Sequence, residues 1–472
     1  MKKLNELINC EYDTEILGVV SDSREVREGY LFVAIKGYFA DRYEYIDKAI
    51  ENGAVAIIVD RKPNIEVDVP VIIVENINEV YLDVLRVFHN HVEKKLSFIG
   101  VTGTDGKTTT SMMLWNLLDN FVKTAYMGTN GLFFKDEVSK LSNTTPEPSV
   151  MYNHFEDLSK KGCQYVAMEV ASEALLHGRV DGLKMKYTIL TNITEDHLDI
   201  HGSLENYVLS KKKLFYLMED EGKVILNIDD KHYETIVKDL HNEVYTYGVN
   251  ENADFCIKNV NNKNGFTTFD ICHKEEIYSF ESPYIGLYNV YNLTASIAVL
   301  LLEGYDYGVI KEKVKKLITI PGRGEVLNFG QKYMIVLDYA HTTNGVHTIL
   351  ESIRNYNFKR VITVIGSAGG RQKDKRAHMG RLALEASDYV IFTMDDPRNE
   401  SVDSIIDDLI SDSVLENYTR INDRKEAIYY ALSIAKEDDI VLVLGKGRDT
   451  YMAIGNEKID YCDYNIIEEY FK

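Results

Sequence analysis

The sequence has few of the residues that interrupt or cross-link a chain. It contains only 7 prolines and 5 cysteines among 472 residues. The cysteines are scattered, odd in number and without CxxC spacing, so we expect neither a disulfide framework nor a zinc site. No apolar run approaches the ~18 residues of a membrane span, and the N-terminus lacks the apolar core of a signal peptide. We therefore expect a cytoplasmic protein with no membrane insertion.

Positive charge is also scarce. The formal net charge is −21, which argues against nucleic acid or an anionic membrane as a partner. The acidic excess is typical of a solvated surface, and an anionic substrate would need cations gathered locally. With 45% hydrophobic residues the chain is globular throughout, and its length predicts about three domains.

The stretch that organises the chain is GVTGTDGKTTT, residues 100–110. A strand-like SFIG precedes it and an apolar MMLWNLL follows, so strand, glycine loop and helix succeed one another. This arrangement turns backbone N–H groups and a helix N-terminus toward polyphosphate. Lys107 is then expected to reach the terminal phosphates and Thr108 to ligate Mg²⁺. Val101 stands where the common motif has its first glycine, so the loop is a variant.

Two buried-strand patterns in the middle of the chain end in polar residues. YVAMEVAS places Glu169 at a strand end, and YTILTNI runs into TEDHLDIHGS, which contains Asp196 and His197. In open parallel α/β sheets, ligands bind outside the carboxyl ends of the strands. These three side chains are therefore candidates for a metal and its water beside the phosphate loop. The lysine run at 211–213 is, by pattern alone, typical of a solvated face.

Further patterns predict the rest of the architecture. Residues 252–281 alternate polar and apolar around NNKNG, which predicts a hairpin insertion. The following GLYNVYNLTASIAVLLLEGY predicts an amphipathic helix with Asn289 and Asn292 on one face. Beyond PGRGEVL, four apolar strands each deliver a charged cluster at the carboxyl end, which predicts a second binding face. These strands are MIVLDYAH, VITVIGSAGGR, YVIFTMDDPR and IVLVLGKGRD.

The motifs, taken in order, resemble those of the Mur ligase family, ATP-dependent amide ligases of peptidoglycan precursor synthesis. Within that family they are most similar to the branch that adds a diamino acid to UDP-N-acetylmuramoyl-L-alanyl-D-glutamate. The resemblance covers nearly the whole chain. Its motifs are SDSREVREGYLFVAIKG, GVTGTDGKTTT, NTTPEP, MEVAS with TNITEDHLDIHGSLENYVLSK, NVYN, PGRGE, DYAH, GGRQKDKR, DDPR and GKGRD.

The resemblance implies an α/β fold of three domains, with a central P-loop ATPase-type sheet and a C-terminal Rossmann-like domain. The domains expected are an N-terminal UDP-binding domain at 1–96, an ATP-binding ligase domain at 97–323 and an amino-acid-binding domain at 324–472. It implies ATP and Mg²⁺ as cofactors and an acyl phosphate on the D-glutamate carboxylate, which the diamino acid's amine attacks. The expected partners are the UDP-linked acceptor and a diamino acid, and the expected state is a monomer.

The resemblance also implies roles for individual residues. Catalytic roles fall on Lys107, Glu169, His197 and Lys211, with Lys211 as a carbamate and its neighbours Lys212 and Lys213 solvated. The implied metal ligands are Thr108, Glu169, His197 and the carbamate. ATP-binding positions are Gly103, Thr104, Asp105, Gly106, Lys107, Thr108, Thr109, Asn292, Arg323 and Asp338. Acceptor-binding positions are Ser23, Asn143, Thr144, Thr145, Ser172 and Arg179. Amino-acid-binding positions are Arg371, Asp395, Asp396, Arg398, Gly445 and Asp449.

The sequence departs from the family pattern at several positions. Ala171, His177 and Thr343 replace a serine, a glutamine and a proline that are common there. Asp396 stands for the asparagine of DNPR, and Arg448 with Asp449 stands for the His-Glu pair of GKGHE. Arg398 suits the distant carboxylate of meso-diaminopimelate, whereas the two aspartates suit the bare ammonium of L-lysine, so both substrates stay open. Two other functions also stay open, a folylpolyglutamate synthase-like ligase and a non-catalytic binding partner.

Overall fold

The computed structural model describes residues 1–35, 42–263, 266–354, 356, 358–371 and 373–472. Positions 36 and 37 of the N-terminal motif, the predicted turn at 264 and 265, and position 372 of GGRQKDKR lie outside these ranges. Three large sheets succeed one another along the described chain, so the predicted α/β class is confirmed. No helix in these ranges combines the length and apolar character that crossing a bilayer requires. The exact domain bounds stay a prediction.

The N-terminal unit is a small parallel sheet with helices beside it. Its elements are β1 (Lys2–Lys3), α1 (Leu4–Leu7), β2 (Glu15–Ile16), β3 (Gly18–Val20), β4 (Tyr30–Val33), α2 (Ile46–Glu51), β5 (Ala54–Val59), β6 (Val71–Ile73) and α3 (Ile77–Phe88). The sheet has the order β3-β4-β5-β6, and β1 pairs separately with β2. The side chain of Asn76 accepts a hydrogen bond from the Glu79 amide and so caps α3.

The central unit is built on one eleven-stranded sheet. Its first elements are β7 (Ser97–Thr102), α4 (Lys107–Leu118), β8 (Thr124–Gly128), β9 (Gly131–Phe134), β10 (Glu137–Ser139), α5 (Pro148–Lys160), β11 (Tyr165–Glu169), α6 (Ser172–Leu176), β12 (Met185–Leu190), α7 (Leu198–His201) and α8 (Leu204–Lys212). The others are β13 (Met218–Asn227), α9 (Tyr233–Val237), β14 (Glu243–Gly248), β15 (Phe255–Lys263), β16 (Phe266–His273), β17 (Glu276–Ser282), α10 (Leu287–Leu302) and α11 (Tyr307–Val314).

The order of the central strands brings the predicted strand ends together. The sheet runs β10-β9-β8-β11-β7-β12-β13-β14-β15-β16-β17. Strand β7, which enters the phosphate loop, pairs in parallel with β11 on one side and β12 on the other. Glu169 is the last residue of β11, so the predicted convergence of strand ends is confirmed. The predicted hairpin is β15 with β16, and β17 extends it as a third antiparallel strand.

Two central helices are more buried than their patterns indicate. Helix α4 is buried at most of its positions, including Met112 to Trp115, which explains why MMLWNLL lacks a polar stripe. Helix α10 packs against it. The prediction of an amphipathic α10 is wrong, because every residue from Asn292 to Leu300 is buried between α4 and the sheet. A helix that is apolar nearly all round belongs inside a core.

The C-terminal unit carries the predicted second face. Its elements are β18 (Glu325–Leu327), β19 (Met334–Asp338), α12 (Thr343–Arg354), β20 (Val361–Ile365), α13 (Asp374–Ala386), β21 (Tyr389–Phe392), α14 (Val402–Ile410), β22 (Tyr418–Arg420), α15 (Arg424–Ile434), β23 (Ile440–Leu444), β24 (Tyr451–Ile454), β25 (Glu457–Asp460) and α16 (Asp463–Phe471). The sheet order is β18-β19-β23-β20-β21-β22. The four predicted apolar strands are therefore adjacent and parallel, and their carboxyl ends share one edge.

A buried ion pair ties the last helix to this sheet. The guanidinium of Arg424 donates to both carboxylate oxygens of Asp463, at 2.9 and 2.8 Å, and to the Leu444 carbonyl at the end of β23. Both charged side chains are fully buried. Burial alone would lower the pKa of Arg424, but Asp463 more than offsets that effect and leaves it above the usual arginine value. The guanidinium of Arg424 therefore stays charged in the folded protein.

Replacing Asp463 with alanine is expected to destabilise the C-terminal unit by about 3–5 kcal/mol, because it leaves a buried guanidinium unpaired. Unfolding should be followed by circular dichroism, which reports on all helices, and by fluorescence of the single tryptophan, Trp115, which lies in α4. The circular dichroism transition should move to lower urea while the tryptophan transition moves less.

The matched control is Lys425→Ala, which removes an exposed pair with Glu469 between the same two helices. Exposed pairs contribute little, so this variant should unfold like the parent protein. Unaltered unfolding of the Asp463→Ala variant would show that the buried pair does not hold α16 in place.

Candidate functional site

The phosphate loop has a backbone that only glycine adopts readily at two positions. Gly103 has φ 152° and Gly106 has φ 83°, values that side chains other than glycine rarely allow. A Cβ on Gly106 would lie 2.5 Å from the Asn292 Oδ1, and one on Gly103 would collide with the Thr191 hydroxyl. Gly100 lies instead within β7. The unusual glycine spacing is therefore explained by one glycine within the strand, Gly100, and two within the loop, Gly103 and Gly106.

Lys107 and Thr108 begin helix α4 at the exit of this loop. The Lys107 ammonium donates to the carbonyls of Gly103 and Thr104, at 2.9 and 2.8 Å, so it lies over the loop. Burial lowers its pKa, although Glu169 and Asp105 oppose the effect. The Thr108 hydroxyl donates to Glu169 at 2.8 Å and accepts from Arg323 at 3.3 Å. A cation and a hydroxyl thus face the place where strand-end carboxylates converge.

Glu169 connects three segments. Beyond Thr108, its carboxylate accepts from the Tyr126 hydroxyl at 2.5 Å and from the Thr129 amide at 2.8 Å. Its backbone carbonyl accepts from the Thr145 hydroxyl at 2.9 Å. Thr145 belongs to the NTTPEP loop. One residue therefore joins the phosphate loop, the segment after β8 and the predicted acceptor loop.

Lys211 is a buried amine with an unusual environment. Its side chain is almost fully buried, its Nζ donates to the Gly103 carbonyl at 2.6 Å, and it lies over the Tyr207 ring at 4.4 Å. Within the described ranges it makes no ion pair. Burial, together with the charge of Lys107, holds the pKa of Lys211 well below its usual value. A neutral amine is the form that reacts with CO₂ to give a carbamate.

The expectation that Lys212 is solvated is wrong. Its side chain is buried, and its ammonium donates to the carbonyls of Thr235 in α9 and of Lys238 just after it, at 2.8 and 2.5 Å. Lys213 is exposed as expected. The lysine run therefore spans two buried positions and one exposed position, because α8 ends there against the protein interior.

His197 and Asp196 follow β12 and face the same region. His197 has φ 52° and starts α7. Its Nε2 is 3.5 Å from Asp196 and its Nδ1 is 4.0 Å from Glu173. Burial lowers the pKa of His197, and the charges of Lys107 and Lys211 add to this lowering. In the described part of the chain, no three His, Cys, Asp or Glu side chains form a cluster that could hold a metal without help.

A cavity of about 600 Å³ lies between the central and C-terminal sheets, beside the phosphate loop. Asn292, Arg323 and Asp338, the predicted nucleotide contacts, line it together with Asp105, Gly106 and Thr109. Arg323 stacks on the Tyr339 ring at 4.5 Å. Burial raises the pKa of Asp338, whose carboxylate accepts from the Gly324 and Ala340 amides. The cavity therefore has the glycine loop at one end and polar side chains around it.

The wall of this cavity includes contacts between domains. Asp105 accepts from the Asn344 amide at 3.0 Å and from the Thr342 hydroxyl at 3.4 Å. Thr343, where the family pattern has proline, is the first residue of α12 and lies between these two. On the other face of the site, Arg371 lies 3.7 Å from Asp199. The C-terminal unit thus touches the central unit on both sides of the phosphate loop.

A second cavity, of about 1120 Å³, lies between the N-terminal and central sheets. Ser23 and Arg179, two of the residues predicted to bind the acceptor, line it. Thr145 lies behind the wall, where its carbonyl accepts from Arg179 at 3.1 Å. Thr144 contacts the Thr129 hydroxyl and Ser172 contacts His201. Among the described lining residues Asn143 does not occur, and its side chain is exposed.

Two charged residues of this cavity, Glu147 and Arg42, were not among the predicted site residues. Glu147 lies 3.1 Å from Arg179 and 3.8 Å from Arg42. It therefore pairs with one arginine of the central unit and one of the N-terminal unit. Arg42 also donates to the Ser21 carbonyl and hydroxyl. The signal for Glu147 was present, because it is part of NTTPEP. Arg42 gives no local signal, since its partner lies on another domain.

The predicted amino-acid residues gather at the carboxyl edge of the C-terminal sheet. Asp395 is buried, and burial raises its pKa. Asp396 and Arg398 have φ 42° and 51°, so their loop is held in a conformation that non-glycine residues rarely adopt. The Asp396 carboxylate accepts from the Lys446 ammonium at 2.8 Å, and that ammonium also contacts Asp449 at 3.1 Å. Lys446 belongs to the predicted charged cluster after β23, but its pairing with Asp396 was not predicted, because the two residues lie fifty positions apart.

Family models match along most of the chain. They are described as Mur ligase family, catalytic domain, over residues 15–99; Mur ligase middle domain over 101–300; and Mur ligase, glutamate ligase domain, over 322–447. The matches follow the order of the three sheets.

Curated relatives match over their full length. The UDP-N-acetylmuramoyl-L-alanyl-D-glutamate--2,6-diaminopimelate ligase of Bacillus cereus is 36% identical over 482 residues, which cover 99% of this chain and 98% of the relative. The relative named UDP-N-acetylmuramoyl-L-alanyl-D-glutamate--2,6-diaminopimelate ligase 1, from Clostridium acetobutylicum, is 36% identical over 470 residues, with 99% and 97% covered.

Solved structures also resemble this chain, and they distinguish the diaminopimelate ligases from folylpolyglutamate synthase. A structure of a UDP-N-acetylmuramoyl-L-alanyl-D-glutamate--2,6-diaminopimelate ligase has a TM-score of 0.71 at 28% identity, covering 100% of this chain and 99% of that one. Folylpolyglutamate synthase of Mycobacterium tuberculosis has a TM-score of 0.64 at 14% identity, covering 77% of this chain and 91% of that one, and so shares the fold alone. The motif order, the three sheets and the full-length relatives agree: this chain belongs to the Mur ligase family of ATP-dependent ligases that form amide bonds.

Proposed function

We propose that the chain joins meso-diaminopimelate to the D-glutamate of UDP-N-acetylmuramoyl-L-alanyl-D-glutamate, with ATP consumed, in peptidoglycan precursor synthesis. The observation that carries this proposal is that Glu169 links the phosphate loop to the loop behind the second cavity. Its carboxylate contacts Thr108 of the phosphate loop, and its carbonyl contacts Thr145 of the loop behind the acceptor cavity. The full-length relatives named as diaminopimelate ligases support the choice of acceptor and amino acid. The expected cytoplasmic location and monomeric state belong to the same proposal.

The first step joins a carboxylate to a phosphoryl group. The carboxylate oxygen of the acceptor attacks the γ-phosphorus of ATP, the bond to the bridging oxygen breaks, and ADP leaves. Lys107 and the amides of the phosphate loop would hold the phosphate charge, since little covalent work is required of the protein. Arg179 and Ser23 would position the acceptor from the second cavity. The product of this step is an acyl phosphate.

The second step makes the amide bond. The amine of the diamino acid attacks the acyl carbon, the carbon–oxygen bond to phosphate breaks, and the amine gives up a proton to solvent. Asp395, Asp396, Arg398, Gly445 and Asp449 would hold the amino acid at the edge of the C-terminal sheet. Closure of the proposed domains 1–96, 97–323 and 324–472 would exclude water from the acyl phosphate. Contacts from Asp105 to Asn344 and from Asp199 to Arg371 cross the central interface needed for closure.

The residues present fit Mg²⁺. The Thr108 hydroxyl and the Glu169 carboxylate are adjacent oxygen donors, which Mg²⁺ prefers together with phosphate oxygens and water. The buried Lys211 amine, with its lowered pKa, would become an anionic oxygen ligand as a carbamate, and His197 would complete the set. When bound, Mg²⁺ would neutralise the charge on the polyphosphate.

Lys107→Ala should nearly abolish ADP release that depends on the acceptor. The loss of one positioned cation removes about 3 kcal/mol of transition-state stabilisation, or roughly 100-fold in kcat. Circular dichroism should be unchanged, because the Lys107 side chain contacts only loop carbonyls. Lys140→Ala, at an exposed lysine of the same unit, is the control and should keep full activity. Parent-like ADP release by Lys107→Ala would remove the phosphate-loop assignment, and no release by the parent would favour a non-catalytic binding protein.

Lys211 should carry a carbamate. The carbamate needs a neutral amine, and the lowered pKa keeps this amine neutral to lower pH than an ordinary lysine. Activity should therefore fall when CO₂ is removed, return with bicarbonate, and decline as pH falls far enough to protonate the amine. Lys211→Ala should be nearly inactive and partly rescued by a short carboxylic acid such as formate.

The matched control for Lys211 is Lys213→Ala, because Lys213 is the exposed member of the same lysine run. Lys212 is unsuitable, since its buried contacts with α9 give it a structural role. After the carbamate of the parent protein has been trapped covalently, mass spectrometry should show one added carboxyl group on the peptide that contains Lys211. A fully active Lys211→Ala variant would contradict the carbamate.

A further inference from the structure

Lys446 is a buried cation inside the predicted amino-acid pocket. Its side chain is 1% exposed, while those of its partners Asp396 and Asp449 are 14% and 29% exposed. Its ammonium lies 2.8 Å from Asp396 Oδ1 and 3.1 Å from Asp449 Oδ2, and 5.0 Å from the centre of the Tyr451 ring. The two carboxylates therefore lie on the solvent side of the pocket, with the cation behind them.

The neighbouring cation Arg448 does not pair with Asp396 or Asp449 as Lys446 does. Arg448 is next to Asp449 in the chain but turns away, where it pairs with the buried Glu325 at 2.5 Å and stacks on Tyr464 at 3.4 Å. The third carboxylate, Asp395, lies below the other two, near Arg424 and Lys446, and burial raises its pKa. Lys446 is thus the cation that directly offsets Asp396 and Asp449.

Arg398 remains available for a ligand. Its Nη1 donates to the Gly369 carbonyl at 2.9 Å, and within the described ranges it makes no ion pair. The predicted pocket therefore contains two carboxylates paired with Lys446 and, two residues beyond Asp396 in the chain, the guanidinium of Arg398. A pocket balanced in this way suits a substrate end that carries both charges, and it gives little net attraction to a lone ammonium.

We propose that Lys446 is a specificity-determining residue, which selects a diamino acid whose distant centre carries a carboxylate as well as an ammonium over one with the ammonium alone. The inference rests on the proposed function. Without Lys446, Asp396 and Asp449 would lose the ion-pair partner that they share within the described ranges. Their charges would then attract the distant ammonium of L-lysine and oppose the distant carboxylate of meso-diaminopimelate.

The test measures kcat/KM for both amino acids in each variant, with acceptor and ATP fixed. Lys446→Met should move the ratio toward L-lysine by about 10-fold to 100-fold, the range of a single pocket contact. Asp396→Asn should move the ratio the other way, toward meso-diaminopimelate. Lys446→Arg keeps the charge and should keep the direction of the parent's preference. A ratio within one variant is insensitive to a partial loss of folded protein, which lowers both rates equally.

The double variant Lys446→Met with Asp396→Asn guards against a folding failure. Removing both members of a buried pair is far less destabilising than removing one, and the ratio should return toward that of the parent. An unchanged ratio in Lys446→Met, or a double variant whose ratio equals that of Asp396→Asn alone, would assign Lys446 a structural role and overturn the inference. A parent enzyme that prefers L-lysine would overturn it as well. A parent enzyme that releases no ADP with either amino acid would instead overturn the proposed function.

Discussion

The carboxylate of Glu169 is the contact on which the arrangement of the site depends. It accepts hydrogen bonds from the phosphate loop and from the segment after β8, while its carbonyl holds the loop behind the acceptor cavity. Each buried donor left unpaired by a shift of this carboxylate would cost about 1–3 kcal/mol. Because Glu169 ends the strand beside β7, the strand order of the parallel sheet sets the position of this carboxylate beside the phosphate loop.

Two buried lysine amines lie side by side in this acidic protein. The net charge is −21, yet Lys107 and Lys211 lie together near the Gly103 carbonyl, which accepts from both. Burial lowers the pKa of both amines, and the charge of Lys107 lowers the pKa of Lys211 further. The Lys107 ammonium therefore disfavours a second positive charge beside it and favours the neutral form of Lys211, the form that carbamate formation requires.

The sequence predicts features that depend on local pattern and fails where contacts are distant. Apolar strands ending in polar residues predicted both binding edges, because parallel sheets collect strand ends at one edge. Lys212 was misread, since a lysine run carries no information about the segment that packs over it. Helix α10 was misread because Asn289 and Asn292 resemble a polar face, although both are buried. Glu147 with Arg42, and Lys446 with Asp396, join positions far apart in the chain, and no spacing rule reveals them.

In the DDPR loop, the side chain of Asp396 supports both the backbone geometry and the charge of the predicted amino-acid pocket. Asp396 and Arg398 have positive φ, and each such residue costs about 1–3 kcal/mol that the surroundings must offset. Hydrogen bonds to the β24–β25 hairpin offset this cost. The backbone amide of Arg398 donates to the Ala453 carbonyl, and the Asp396 carboxylate accepts from the Ala453 amide at 2.9 Å. The same carboxylate oxygen accepts from Lys446. An asparagine at 396 could keep the bond from Ala453 while losing the ion pair, so the shape of this loop and its charge are separable properties of one side chain.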